Sequence, residues 1–345
     1  MSHYTTRPLA PLLLLAALVA VCAAPCAAAE TKAEGKVGLA ELSPKAEQAI
    51  ERGLRFLATH QNRDGSWGQR HHGAITALSL MAFMLKGHFP KKGTHGAMLE
   101  RGLGFLLRRS EQGAGYLGGH NYGMYEHGLG TLALSEVWGM SDRREIRDAL
   151  KRAVDVILRS QNPKGGWRYH PRPIDADISV TVMQIVALAS AAEAGILVPS
   201  QVIHKALGYV KSCQQKFEGG FGYTSPSSVR FSSSAAGVMS LLMCGERDSK
   251  AVERGLAYLK RLPDGKFDRE RFYLYGHYYA IQAMYQAGEG HYQEWYPQIR
   301  DALLAKQKED GSWPSVGGEG DPCYCTSMAI LVLGVPYRFL PIYQR

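Results

Sequence analysis

The sequence predicts an all-α protein whose twelve helices close into two concentric rings, six inner and six outer. Three observations carry this. Glycine–aromatic turns recur along the chain, with Trp67, Tyr116, Trp167, Phe221, Phe267 and Trp313 spaced 49, 51, 54, 46 and 46 residues apart. A charged, amphipathic segment precedes each turn, and a segment almost without charge follows it. No strand-like alternation appears between them. A recurring period of this length marks repeated supersecondary units, and it decides the architecture before any local assignment.

Taken in order, residues 1–29 read as a targeting leader. Arg7 supplies a positive start, "PLLLLAALVAVCAA" an apolar run, and "AAA" before Glu30 a cleavage site. The run is shorter than the ~20 apolar residues that a membrane span needs. Export to the periplasm or beyond is therefore expected, with no stable membrane span. Residues 30–45, polar and small and ending in Ser43-Pro44, read as a linker, and residues 46–345 as the helical domain.

Each unit of that domain has the same grammar. The first helix is amphipathic, as in "AEQAIERGLRFLATHQ", "RDALKRAVDVILRSQ", "SKAVERGLAYLKRL" and "YPQIRDALLAKQ". Apolar residues recur there at i, i+3, i+4 and i+7, as a helix with one wet face requires. The second helix is apolar nearly all round, as in "GAITALSLMAFML", "SVTVMQIVALASAA" and "TSMAILVLG". Such a helix must be surrounded by protein. Wet helices therefore form the outer ring and dry ones the inner. An open solenoid would need a polar cap at each end, whereas the last dry helix runs into "VPYRFLPIYQR".

Composition narrows the partners. The chain carries 40 Lys and Arg against 31 Asp and Glu, net +9. The basic residues are scattered over presumed outer helices rather than clustered with aromatics, so a nucleic-acid partner is not expected. Four cysteines lie beyond the leader, at 213, 244, 323 and 325. Cys323 and Cys325 are too close to bridge easily, and at most one disulfide is expected.

The turns "QNRDGSWG", "QNPKGGWRY" and "QKEDGSWP" resemble the QW motif of the terpenoid cyclase and protein prenyltransferase superfamily. The resemblance covers nearly the whole repeat region. It extends to exported bacterial proteins carrying prenyltransferase and squalene-oxidase repeats. It implies a closed α/α toroid of six inner and six outer helices, with the inner-helix N-termini opening onto one mouth.

Residues at or just before each dry helix would then converge at that mouth. The candidate catalytic residues are Asp175, Asp177, His127 and His277, and the candidate ligand-binding residues are His71, His72, Tyr125, Glu126, Tyr275 and Tyr324. Polar groups gathered over an apolar barrel have the character of a binding site, although Asp and Ser also precede helices simply as caps. The segment "GGWRYHPRPIDADISVTV" resembles the squalene-hopene cyclase stretch in which an Asp-x-Asp-Asp motif protonates a polyene. Asp175 and Asp177 match its first two aspartates, and Ile178 replaces the last. "DPCYCTS" resembles the Asp-x-Cys-Tyr stretch of prenyltransferase β subunits, which implies a Zn2+ site that includes Asp321 and Cys323; in a closed ring the third ligand, a histidine on the next inner helix, would be His71 or His72, with His277 on the other neighbouring helix. By contrast "CGER" lacks the glutamine of a thioester motif, and "GAGYLGGHNYG" lacks the Lys-Ser/Thr of a phosphate loop.

The function expected on these grounds is binding of a ligand at the mouth of the inner barrel, without the full cyclase chemistry. The ligand would be apolar and isoprenoid-like, or else another lipid, a glycan or a protein. The alternative is an active isoprenoid-processing enzyme, cyclase or transferase, with an acid or zinc site at the inner-helix N-termini. The repeated aromatic should be a packing element: Trp67→Ala should lower stability by ~3 kcal/mol, as large-to-small core changes do. An unchanged denaturation midpoint would show that the ring is not packed.

Overall fold

The structure is a computed structural model that describes residues 42–119, 121–261, 271–315 and 319–337. The expected leader over 1–29, residues 30–41 of the expected 30–45 linker, the turn aromatic Phe267 and the segment from 338 lie outside the described residues. Twelve α-helices alternate as expected, and no strand longer than an isolated bridge occurs among the described residues. The outer helices are α1 (Pro44–Thr59), α3 (Gly96–Gln112), α5 (Arg144–Arg159), α7 (Ser200–Ser212), α9 (Lys250–Lys260) and α11 (Glu289–Leu304). The inner helices are α2 (His72–Leu85), α4 (Gly123–Trp138), α6 (Ile178–Glu193), α8 (Phe231–Met243), α10 (Tyr273–Ala287) and α12 (Pro322–Leu333). Ser43-Pro44 is the start of α1 rather than the end of a linker. Ser43 Oγ accepts from the Ala46 amide at 3.2 Å, and Pro44 takes the first helical position, where its missing N–H is no loss.

The inner helices pack in sequence, α2 on α4, α4 on α6, and so on to α10 on α12, and α12 packs back on α2. The ring is closed, and each outer helix lies against the inner helix of the preceding unit, α1 taking α12.

The turns hold the two rings together. The indole N–H of Trp67, Trp167 and Trp313 donates to the carbonyl ten residues earlier, on Leu57, Ile157 and Leu303, each at 2.8 Å. All three indoles are buried. The turn glutamine bridges outward. Gln61 Nε2 donates to Gly65 O and to Met98 O on the next outer helix, both at 2.9 Å. Gln161, Gln214 and Gln307 repeat the pair, and Gln307 reaches Ala49 O on α1 at 2.8 Å, joining the last unit to the first. The acceptor is a carbonyl near the start of that helix rather than an orphaned terminus, and it uses the second lone pair of its oxygen.

One turn departs from the sequence reading. Leu117, not Tyr116, occupies the buried position equivalent to Trp67: its side chain is fully buried, whereas Tyr116 is half-buried. The turn glycine settles the register, because Gly65 and Gly115 both have positive φ and each is followed two residues later by the packed side chain. The four cysteines among the described residues are free thiols.

The inner barrel is filled. Met81, Met183, Met239 and Met284 expose at most 6% of their surface. The Tyr279 hydroxyl on α10 donates to Met183 Sδ on α6 at 2.9 Å, although α8 lies between those helices in the ring. These side chains therefore meet inside the barrel, past the inner face of α8.

Glycine at the turn is demanded by contact as well as by conformation. At Gly311 (φ +89) a Cβ would lie 2.5 Å from the Arg52 carbonyl oxygen, whereas at Gly195 (φ +81) it would meet nothing. Gly195→Ala should therefore cost ~1 kcal/mol from the backbone alone, and Gly311→Ala ~2 kcal/mol or more. Equal shifts in urea midpoint would show that the approach of the outer helix is not what requires glycine.

Candidate functional site

The inner-helix N-termini converge at one end, as expected, and four carboxylates serve them. Asp177 caps α6, with Oδ1 accepting from Val180 N at 2.9 Å. Asp321 caps α12 by accepting from Cys323 N at 2.8 Å and Tyr324 N at 3.3 Å, while its Oδ2 takes Gln69 N at 2.8 Å. Helices α2, α4 and α10 instead start from residues in the left-handed conformation, His71, Tyr122 and Phe272, with no side-chain cap of their own. Two of them are capped from elsewhere. Glu126 Oε2 accepts from Gly73 N at 3.1 Å, and Glu319 accepts from Leu274 N at 2.8 Å and Tyr275 N at 2.9 Å. Negative charge is favoured at these ends by the exposed amides and the helix dipole.

Between the caps stands a group of tyrosines. Tyr125 on α4 hydrogen-bonds through its hydroxyl to Ser179 Oγ, and Ser179 Oγ donates to Asp177 Oδ1 at 2.5 Å, so the phenol is the donor in the first link. From α10, on the other side of α8, the Tyr275 hydroxyl donates to the Ser179 carbonyl at 3.2 Å. The Tyr324 hydroxyl donates to Glu319 Oε1 at 2.9 Å. Burial pushes the phenols of Tyr125, Tyr275, Tyr279 and Tyr324 well above the usual range, so they act as neutral hydroxyls. Tyr125, Tyr275 and Tyr324 nevertheless keep part of their surface in solvent. Side chains so closely surrounded yet still wetted line a depression, and here its floor is Tyr279 over Met183.

Arg168 completes the wall. Its guanidinium lies over the ring of Tyr169 at 4.5 Å and of Tyr223 at 5.5 Å, and the two phenols hydrogen-bond to each other. Nη1 stands 3.3 Å from Asp177 Oδ2 and Nε 3.6 Å from Asp175 Oδ2. Asp177 is fully buried, and burial raises its pKa despite the nearby cation and its hydrogen bonds. Burial likewise raises Glu319.

The expected residues divide. Asp177, Tyr125, Tyr275 and Tyr324 meet at the mouth. Asp175 stays largely in solvent, tied only to Arg168. Glu126 lies beside them with His71 at 3.2 Å and Arg109 at 3.6 Å. His72 turns back to its own turn, 3.3 Å from Ser66 Oγ. His127 is buried behind the mouth, where Nδ1 accepts from Leu117 N and Nε2 donates to Ala153 O, each at 3.1 Å. It fills the place that Thr76, Thr181 and Thr326 hold in other units, where their hydroxyls accept from the amides of Trp67, Trp167 and Trp313. His277 occupies the same register on α10, enclosed by the rings of Tyr273, Phe231 and Trp295 at 4.6, 4.8 and 6.1 Å.

The expected zinc ligands are not assembled. Asp321 is spent on backbone amides, and His71 turns to Glu126. Burial and the adjacent Asp321 push the Cys323 thiol up to about 11. Among the described residues no group of three His, Cys, Asp or Glu is placed to hold a metal ion. Arg168, Tyr169, Tyr223, Ser179 and Glu319 are not among the sequence candidates. The two tyrosines are legible in principle: Tyr169 and Tyr223 each stand two residues after a turn aromatic, so the repeat places them side by side.

Comparison with known proteins agrees with this architecture. Residues 131–272 match the Squalene-hopene cyclase C-terminal domain family. No curated protein matches the sequence. Among solved structures, the chain is similar to a variant of the type II terpene cyclase MstE from Scytonema in complex with geranylgeranyl dihydroxybenzoate. That likeness has 15% identity and a TM-score of 0.57, and covers 86% of this chain and 98% of that one. It is similar to the GH76A alpha-1,6-mannanase from Salegentibacter sp. HEL1_6 at 8% identity and TM-score 0.59, over 84% and 97% of the two chains. A glycosidase variant in complex with glucose matches at 13% identity and TM-score 0.57, over 86% and 98%. The chain thus has the α/α-toroid fold that terpene cyclases and glycosidases share.

Burial holds the imidazole of His127 down at about 4 and that of His277 at about 3. Below pH ~6.5 the unfolded chain protonates both histidines while the folded chain does not. Stability should therefore fall as pH drops from ~6.5 towards about 4, by up to ~1.4 kcal/mol per pH unit for each histidine, with no such loss above that window. His127→Asn keeps an acceptor on Cβ–Cγ and should show a shallower slope in urea titrations across that range. An identical slope would show that His127 is not an acid-sensitive element.

Proposed function

We propose that this chain binds a polyhydroxylated, glycan-type ligand in the tyrosine-lined mouth of its inner ring, without carrying out polyene cyclisation. The observation behind this reading is the filled barrel: Tyr279 and Met183 meet inside it, one helical turn below Tyr275 and Ser179 at the mouth. A polyene substrate needs a deep apolar tube, and that volume is taken by side chains. What remains open is shallow and polar, with neutral phenols, a serine, an arginine and buried carboxylates. Such groups pair with sugar hydroxyls, and the tyrosine rings offer faces to sugar rings. Asp177 also suits cyclisation poorly. Protonating an alkene requires an unusually strong acid, whereas burial weakens Asp177 as an acid and Arg168 at 3.3 Å keeps it paired.

A second reading is hydrolysis at the same mouth. It draws on the raised pKa of both Asp177 and Glu319, which is what a general acid needs at neutral pH. Against it, both oxygens of Glu319 already accept amide bonds from α10. Export, expected from the leader, would bring the protein to where extracellular glycans are met, and fractionation of the native host would locate it.

An array of immobilised glycans probed with the leader-free chain tests the reading. Binding should be detected, and Tyr275→Phe and Asp177→Asn should each weaken it ~5–10-fold, as expected for one lost hydrogen bond. Release of reducing ends would promote the hydrolytic reading. Retention of geranylgeranyl-type lipid with no glycan bound would overturn the proposal.

A further inference from the structure

Five large apolar side chains stand exposed among the described residues: Tyr122, Ile174, Leu197, Phe217 and Phe272. Two of them have the same unusual setting. Tyr122 and Phe272 are the N-cap residues of α4 and α10, with φ of 57° and 60°. Around the inner ring α4 and α10 are opposite one another, separated by α6 and α8 on one side and by α2 and α12 on the other. The two aromatic residues therefore stand on opposite lips of the mouth.

Their backbone conformation is one that a bulky aromatic residue rarely adopts and that glycine adopts freely. Nothing in the helix start asks for the ring. Each N-cap contributes its carbonyl, Tyr122 O to Tyr125 N at 3.1 Å and Phe272 O to Gly276 N at 2.9 Å, and glycine would supply the same oxygen. Both rings also keep much of their surface in solvent, 51% of Tyr122 and 40% of Phe272, with Arg271 lying over the Phe272 ring at 5.0 Å. Strain retained for a side chain that faces solvent points to a use outside the fold. The lip is continuous with the site below. Tyr122 meets Tyr169 edge-on at 4.6 Å, and Tyr169 forms the wall over Arg168 and Asp177. Asp177 Oδ2, fully buried, has no hydrogen-bond partner of good geometry, its nearest cation being Arg168. A ligand hydroxyl could supply the missing donor.

We infer that Tyr122 and Phe272 are stacking platforms on either side of the mouth. The ligand is then an oligosaccharide chain, with one sugar in the depression and its neighbours stacked on the two lips. This rests on the glycan reading of the mouth and specifies its length. A lipid surface fits the rim less well, because the two rings stand apart and the exposed Arg172, Arg271 and His71 interrupt the apolar surface that a bilayer would need.

Calorimetry with the leader-free chain tests this, using gluco- and manno-oligosaccharides of one to six units and the variants Tyr122→Gly and Phe272→Gly. The wild-type chain should bind the longer members at least tenfold more tightly than the monosaccharide. Each variant should lose most of that gain, bind the monosaccharide as before, and melt no lower than wild type. Equal affinity for all lengths, or variants that keep the gain, would overturn the inference and leave the mouth as a single-sugar site. A fall in Tm beyond ~4 °C would show that the rings pack, which also overturns it. Loss of retention on anionic phospholipid vesicles, with glycan binding intact, would assign the rim to a membrane instead. If no sugar of any length binds, the glycan reading falls and this inference falls with it.

Discussion

The close approach of each turn to the next outer helix is the constraint on which the rest depends. A turn glycine lets the chain pass within van der Waals contact of a neighbouring carbonyl, and the glutamine beside it donates into that same helix. The aromatic two residues on fixes the outer helix through its indole N–H. Among the described turns the glycine approach recurs five times, the glutamine bridge four times and the indole bond three times, and together they tie neighbouring units around the closed ring. Gln307 bonding to Ala49 is that same contact made between the two ends of the chain.

Closure has an electrostatic consequence. It gathers the N-termini of the inner helices at one end, where their free amides must be satisfied. Asp177 and Asp321 do so for their own helices, whereas Glu126 and Glu319 do so for their neighbours. The same carboxylates that finish the helices therefore make the mouth acidic, and Arg168 and Arg109 balance them. Capping and site chemistry are thus not rival explanations of these residues. Glu319 and Asp321 are so fully used by amides that little remains for a ligand, while Asp177 keeps one oxygen that no good hydrogen bond satisfies.

Histidines mark the boundary between what a sequence pattern suggests and what a packed interior does. In "GMYEHG" and "YLYGHYY" the imidazole reads as mouth chemistry. His127 instead replaces a threonine in receiving the amide of Leu117, and it answers Ala153 with its other nitrogen. The substitution is readable only by aligning units on their glycines, because Leu117 carries no aromatic signal. Tyr169 and Tyr223 are likewise hidden by attention to the turn rather than to the residue two places beyond it.

The sequence by itself determined the repeat, the alternation of wet and dry helices, and hence the closed double ring, because a helix without charge can only be enclosed. It also determined which end of each inner helix meets its neighbours, since the turn precedes it. Only the tertiary structure decided which polar residues look into the mouth and which turn back to their own backbone. That choice depends on side-chain direction and on which amide lacks a partner, and neither is a property of local sequence. It also decided that Tyr279 and Met183 fill the barrel: two residues 96 apart along the chain meet because the ring brings α6 and α10 to either side of α8.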